Sequence, residues 1–227
     1  MIGKTNSGVI LGIINVNCPN VATVTLTQSG RAYRFTQTGS STSFKLPVAG
    51  TWHISATSYG ITQTADVTIS PGQTRTVSML TNLQLYNYGS YASGFASGWS
   101  QGDSGNHVEL YGARGDGRTA TSNGSVNLTG YRTVNATIDG YFSIPSYCGG
   151  SIAFEIINGS GATILDKVES LSRGADSQTK TIPTTTWTFD VSGINYSVRF
   201  QLRARVWSGG SENVQSRIRL YKIEALT

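Results

Sequence analysis

Two histidines, two cysteines and twelve acidic residues in 227 positions leave few groups for a catalytic centre. His53 stands on the polar face of an alternating run, and no local signature places a serine or cysteine nucleophile beside it. His107 lies in Asp103-Ser104-Gly105-Asn106-His107-Val108-Glu109, where carboxylates and an imidazole are close in sequence. Glycoside hydrolysis needs two carboxylates facing one another across a cleft. Acids scattered over strands and loops supply no such pair by spacing, so no catalytic residue is assigned and a non-enzymatic protein is expected. The same loop, with Asp116, has the oxygen donors for Ca²⁺ but not the fixed spacing of a calcium loop. A polar surface turn explains it more simply, and neither metal nor other cofactor is expected.

Binding chemistry is better represented. Tyr86, Tyr88, Tyr91, Phe95 and Trp99 stand among glycines and serines that are too small to bury every ring. Flat aromatic faces stack on the C–H faces of sugars while neighbouring polar groups bond the hydroxyls. Tyr86 and Trp99 are expected in the core. Tyr88, Tyr91 and Phe95, with Asp103, Asn106 and Arg114, are the candidate carbohydrate-binding residues. A second feature is the arginine set Arg199, Arg203, Arg205, Arg217 and Arg219. Guanidinium forks grip carboxylates or phosphates in pairs of hydrogen bonds, so this face could meet anionic wall polymer, a neighbouring subunit, or only water and acids of the next strand, and subunit contact or internal ion pairing is expected. The Arg114-Gly115-Asp116 tripeptide is explained as a turn by Gly115 and Gly117.

The elements that position these residues are strands. From Tyr196 to Trp207 apolar and polar residues alternate without a break, as in a strand buried on one face. A Ser208–Ser211 turn and a second alternating run follow, with Ile218 and Leu220 on one side and Arg217, Arg219 and Tyr221 on the other. This predicts a long antiparallel hairpin with an apolar back and an arginine front. Earlier, Val24/Leu26, Tyr33/Phe35, Phe44/Leu46, Trp52/Ile54/Ala56, Ala65/Val67/Ile69 and Val77/Met79 mark short strands with Gly/Pro punctuation. Val134/Ala136/Ile138, Ile152–Ile157 and Trp187/Phe189/Val191 mark later ones. Leu165–Leu171 predicts a helical turn or two at most. The class is all-β, with two β-sandwich domains over 1–81 and 82–227.

Net charge is +5, but residues 1–80 carry +4 of it and only the final hairpin clusters its charge. Without a recognition helix or RNP-like strand, nucleic acid is not an expected partner. No apolar run is long enough to cross a membrane. Gly8–Ile14 reads as a first buried strand rather than a signal segment, because Asn15-Val16-Asn17 lacks the small residues a signal peptidase needs. Cys18 and Cys148 are far apart and read as free thiols, which suits synthesis in a reducing cytoplasm.

Thr42–Ile54 runs as a filled strand, Pro47, then Gly50-Thr51-Trp52 opening the next strand. This unit resembles prealbumin-like sandwiches of the PEGA and carboxypeptidase-regulatory type, over about residues 8–80. The Leu85-Tyr86-Asn87-Tyr88-Gly89 strand and Ser97-Gly98-Trp99 turn resemble the opening of a lectin-like jelly roll in phage minor structural proteins, where the turn reads Gly-Gly-Trp. The resemblance implies a virion structural protein of a tailed bacteriophage, a capsid decoration, head fibre or tail accessory. It would be made in the host cytoplasm and released by lysis. Its partners would be other virion proteins and host cell-surface polysaccharide, with docking through the first domain and display of the second. Any homo-oligomer would form through β-surfaces, since heptads are absent. A bacterial cell-surface glycan-binding module and a cell-wall hydrolase are the alternatives.

Overall fold

The computed structural model describes residues 11–58, 61–92, 99, 106–112, 117–172, 174–207 and 215–227. Every regular element among them is a strand, and the chain divides into two compact units, Met1–Thr81 and Asn82–Thr227.

The N-terminal unit is one ladder of five strands: β1 (Gly12–Thr27), β2 (Arg34–Leu46), β3 (Gly50–Ser58), β4 (Ile61–Ile69) and β5 (Gln73–Ser78). β1 is long, and its two halves take different partners on one edge. Its first half pairs in parallel with β5, its second half pairs antiparallel with β3, and β2 runs along its other edge. The register between β1 and β2 shifts between Asn17 and Ala22, and such an irregularity bends and twists a strand pair. The two halves then share one core, in which Ile14 and Val16 join Val24, Leu26, Trp52 and Ile54. The Gly50-Thr51-Trp52 unit has a physical reason. Gly50 has φ +119°, a conformation L side chains rarely adopt, and Trp52 is fully buried with its indole N–H donating to the Val48 carbonyl at 3.2 Å.

The C-terminal unit is a sandwich of two sheets with jelly-roll connections. One sheet holds β14 (Gln178–Asp190), β11 (Thr133–Ile144) and β16 (Gln215–Leu226) side by side. β6 (Asn82–Asn87) and β8 (Val108–Gly112) pair end to end along the outer edge of β16, and β7 (Ser90–Tyr91) pairs β6. The other sheet holds β13 (Thr163–Leu171), β12 (Gly149–Ile157) and β15 (Ser197–Trp207), with β9 (Gly117–Thr121) and β10 (Val126–Asn127) along the edge of β15. Successive strands 8 to 9, 10 to 11, 11 to 12, 13 to 14, 14 to 15 and 15 to 16 therefore cross from one sheet to the other. The inward side chains interleave; for example, Gly140 on β11 leaves room for Ile152, whose Cδ1 would lie 2.3 Å from a Cβ there.

Two sequence expectations are corrected. β15 and β16 alternate as expected, with Val198, Phe200, Leu202, Ala204 and Val206 inward on one and Ile218 and Leu220 inward on the other. They are not a hairpin, however: β15 pairs β12, β9 and β10, while β16 pairs β11, β6 and β8. Their apolar backs face each other across the core, so the arginine front is split between opposite outer faces. Alternation specifies which face of a strand is buried, not which strand lies beside it. The second correction is Thr163–Leu171, which is a strand and not a helical turn. It lies at the sheet edge with Val168 46% exposed, and edge position removes the apolar alternation that marks a half-buried strand.

Candidate functional site

Tyr88 sits at the first of two turn residues joining β6 to β7, with Asn87 paired to Ser90 on either side. Both turn residues have positive φ, 45° for Tyr88 and 86° for Gly89. This is the backbone pattern of a type I′ hairpin, for which Asn-Gly is the favoured pair. A tyrosine there carries a steric cost that asparagine would largely avoid. The ring nonetheless stands 57% exposed. The turn is held by the Tyr88 N–H, which donates to the Tyr221 carbonyl at 2.8 Å.

The outward face of β16 and its neighbours collects a polar aromatic cluster around this ring. The Tyr221 ring lies 5.5 Å from that of Tyr88 and 5.6 Å from the imidazole of His107. The Tyr221 hydroxyl donates to Asp139 Oδ2 at 2.8 Å. Arg219 donates through Nε to Glu109 Oε2 and places a terminal nitrogen 3.8 Å from Asp139 Oδ2. His107 Nε2 is 3.5 Å from the same Glu109 oxygen. One register step along, the Arg217 guanidinium stands 5.7 Å over the Tyr141 ring, and Tyr111 is 41% exposed. The register explains the grouping: Arg219 lies between Glu109 on β8 and Asp139 on β11, and Arg217 between Tyr111 and Tyr141.

The electrostatics hold the acidic groups of this surface in fixed states. Burial works to raise the Glu109 pKa, but hydrogen bonds from Tyr111 and Arg219 and the charges of Arg219 and Arg217 outweigh it and hold the group below its ordinary value. Burial pushes the Tyr221 phenol up, with Asp139 adding to the shift and Arg219 opposing it. A carboxylate kept ionised in this way is a poor general acid. The lowered pKa also sets a pH dependence. Its stabilisation is complete above the unfolded value near 4.5 and is lost as pH falls through the lower folded value. Glu109→Gln should therefore cost roughly 1 kcal/mol at pH 7, and the difference from the unmodified protein should close as pH is lowered below 4, followed by thermal melts.

The sequence candidates are distributed as follows. Tyr88 belongs to this cluster and Asn106 is exposed immediately before His107. Tyr91 is only partly exposed, its ring 5.0 Å from that of fully buried Tyr86. Tyr86 and Trp99 are core residues, as expected. Phe95, Asp103 and Arg114 lie outside the described residues, as does Asp116 of the calcium reading; Glu109 of that reading is engaged by Arg219 and Tyr111. Among the arginines, Arg203 pairs with buried Glu155 at 2.7 Å on the five-stranded sheet, while Arg219 and Arg217 sit in the cluster on the six-stranded one. Arg199 and Arg205 stay with Arg203 on the outer face of β15. Sequence reasoning misses Asp139 and the partnership of Tyr221 with Tyr88. The signal available was the outward phase of Tyr221 behind Arg217 and Arg219.

His53, the other imidazole, makes an exposed cross-strand pair with Asp66 at 2.8 Å. Cys18 and Cys148 are free and buried, and burial pushes the Cys18 thiol up. An open depression of about 850 Å³ lies at the far end of β11, lined by Gly130–Thr133, Asp190 and Ser192. Its Asp190 carboxylate closes a turn, accepting from the Ser192 N–H at 3.0 Å.

No protein-family model matches the chain, and no curated protein sequence matches it. Several solved structures are similar to it. A chain of infectious bursal disease virus strain Gt aligns over 94% of this chain and 54% of its own, with 10% identity and a TM-score of 0.35. A structure of carbohydrate-binding modules from the β-sandwich superfamily aligns over 91% and 86%, with 13% identity and a TM-score of 0.23. A DUF3823 family protein from Bacteroides ovatus aligns over 96% and 100%, with 11% identity and a TM-score of 0.25. The chain spans about half the length of the bursal disease virus chains it matches. At such scores no function carries over.

Proposed function

We propose that this chain is a non-enzymatic structural protein of a tailed bacteriophage particle, whose C-terminal jelly roll binds polysaccharide of the host surface. The observation that carries the binding half is Tyr88, an exposed ring kept at a positive-φ turn position where a smaller residue would be less strained. Strain retained at an exposed position is a pointer to function. Around that ring the surface offers what a sugar needs: Tyr221 and Tyr111 as apolar faces, and His107, Glu109, Asp139 and Arg219 as hydrogen-bonding groups already fixed by one another. Each stacked ring contributes on the order of 1 kcal/mol, so one site is millimolar to high micromolar, and useful adhesion comes from many copies on one particle.

The particle half rests on the sequence resemblance of the two units to prealbumin-like and jelly-roll modules of phage structural proteins. In this reading the N-terminal unit docks and the C-terminal unit is displayed. Gold labelling of the two termini on negatively stained particles tests it. A label at the N-terminus should lie against the particle and one at the C-terminal unit outside it. Absence of both from particles, or the reverse polarity, contradicts the assignment.

A further inference from the structure

At the opposite face of the jelly roll, β15 ends in two planar side chains laid over glycines. Trp207 is the register partner of Gly149 on β12, and Arg205 is the partner of Gly117 on β9. A Cβ at Gly149 would stand 2.7 Å from the indole Nε1 and 3.1 Å from Cε2. The ring therefore rests on the backbone of Gly149 in space that any other residue would occupy, and 40% of Trp207 remains exposed. Beside it Arg205 runs over Gly117, where a Cβ would meet its Nε at 3.6 Å and Cγ at 3.7 Å, ordinary van der Waals contact. Gly149 thus lets the indole lie down on this end of the sheet, with Arg205 two residues back on the same face of β15.

The two neighbouring arginines differ in charge balance. Arg203 is held by Glu155, which is 4% exposed, through a 2.7 Å contact. Arg205 is exposed and makes no ion pair with any described residue. A flat apolar face beside a guanidinium with no ion partner among the described residues matches one chemical class. The indole takes the C–H face of a sugar ring, and the guanidinium takes an anionic substituent on that ring or on its neighbour.

We propose that Trp207 and Arg205 form a second glycan site, separate from the Tyr88 cluster, that selects acidic polysaccharide. It rests on the reading that the jelly roll binds glycans, and it adds charge selection to it.

The test is affinity electrophoresis of the full chain in gels containing polygalacturonate, poly(glycerol phosphate) or neutral dextran. Retardation by at least one acidic polymer beyond that by dextran is expected, and the pair of acidic polymers distinguishes carboxylate from phosphate as the anion. Trp207→Ala should weaken that binding at least tenfold, while Trp207→Phe, which keeps a stacking face, should stay within a few-fold. Arg205→Gln should abolish the preference for acidic over neutral polymer, whereas Lys45→Gln, which removes an exposed cation from the other unit, should not. Equal retardation of the unmodified protein, Trp207→Ala and Arg205→Gln overturns the proposal, as does an equal loss on Lys45→Gln. Tyr88→Asn separates the two sites. If it alone abolishes binding while Trp207→Ala does not, the Tyr88 reading stands and this one falls. If the unmodified protein binds no polymer, both fall.

Discussion

Replacing Phe154 by alanine is expected to destabilise the C-terminal unit by about 3–5 kcal/mol and to leave the N-terminal unit untouched. Phe154 is fully buried at the middle of β12, with the rings of Phe189 and Phe200 5.5 and 5.7 Å away. Those two rings come from strands of opposite sheets, so the phenyl group fills the contact between the layers. Deleting it removes apolar burial and leaves a cavity that β12 cannot collapse into, since all nine of its residues are buried. For a unit of this size the loss corresponds to roughly 10 °C in melting temperature. Calorimetry should show two transitions, of which only one moves. A single transition that shifts as a whole would show that the two units fold as one.

The second large effect concerns binding. Tyr88→Asn should abolish binding of neutral polysaccharide while leaving the melting temperature unchanged or slightly raised. Asparagine adopts positive φ at lower cost than tyrosine and is favoured at this turn position, so the hairpin gains up to about 1 kcal/mol. What is lost is the exposed ring against Tyr221, and with it the stacking face. Few substitutions separate the two roles so cleanly, because most variants that weaken a site also weaken the fold. Tyr91 does not offer this test: its ring packs on Tyr86, and truncation there acts on the core.

The fold was legible where alternation is strong. Val198 to Val206 and Ile218 to Leu220 face inward as their spacing demands, and Trp52, Ile54 and Ala56 do the same in the first unit. Pairing was not legible. A period of two tells which side of β15 and β16 is apolar, and both a hairpin and a sandwich satisfy that requirement. The jelly roll resolves it by pairing each strand with distant segments, β16 with β11 and β15 with β12. For the same reason the five arginines, contiguous in sequence phase, divide into two surfaces with different partners.

The candidate site was legible in part. Tyr88 was marked by a ring in a glycine-rich context. Its neighbours Tyr221, Asp139 and Arg219 come from β16 and β11, far along the chain, and only the sheet register places them beside it. Glu109 and His107 were visible as chemistry-bearing residues, but their engagement with Arg219 depends on β8 pairing with β16. That engagement makes both residues part of one charge-compensated surface.

The most direct measurement is co-sedimentation of the full chain with isolated bacterial cell walls stripped of their anionic polymers, comparing the unmodified protein with Tyr88→Asn and assaying released reducing ends in the same tube. The unmodified protein should pellet with the walls, the variant should stay in the supernatant, and no reducing ends should appear. Equal pelleting of both proteins, failure of both to bind, or release of reducing ends would contradict non-enzymatic glycan recognition through the Tyr88 surface.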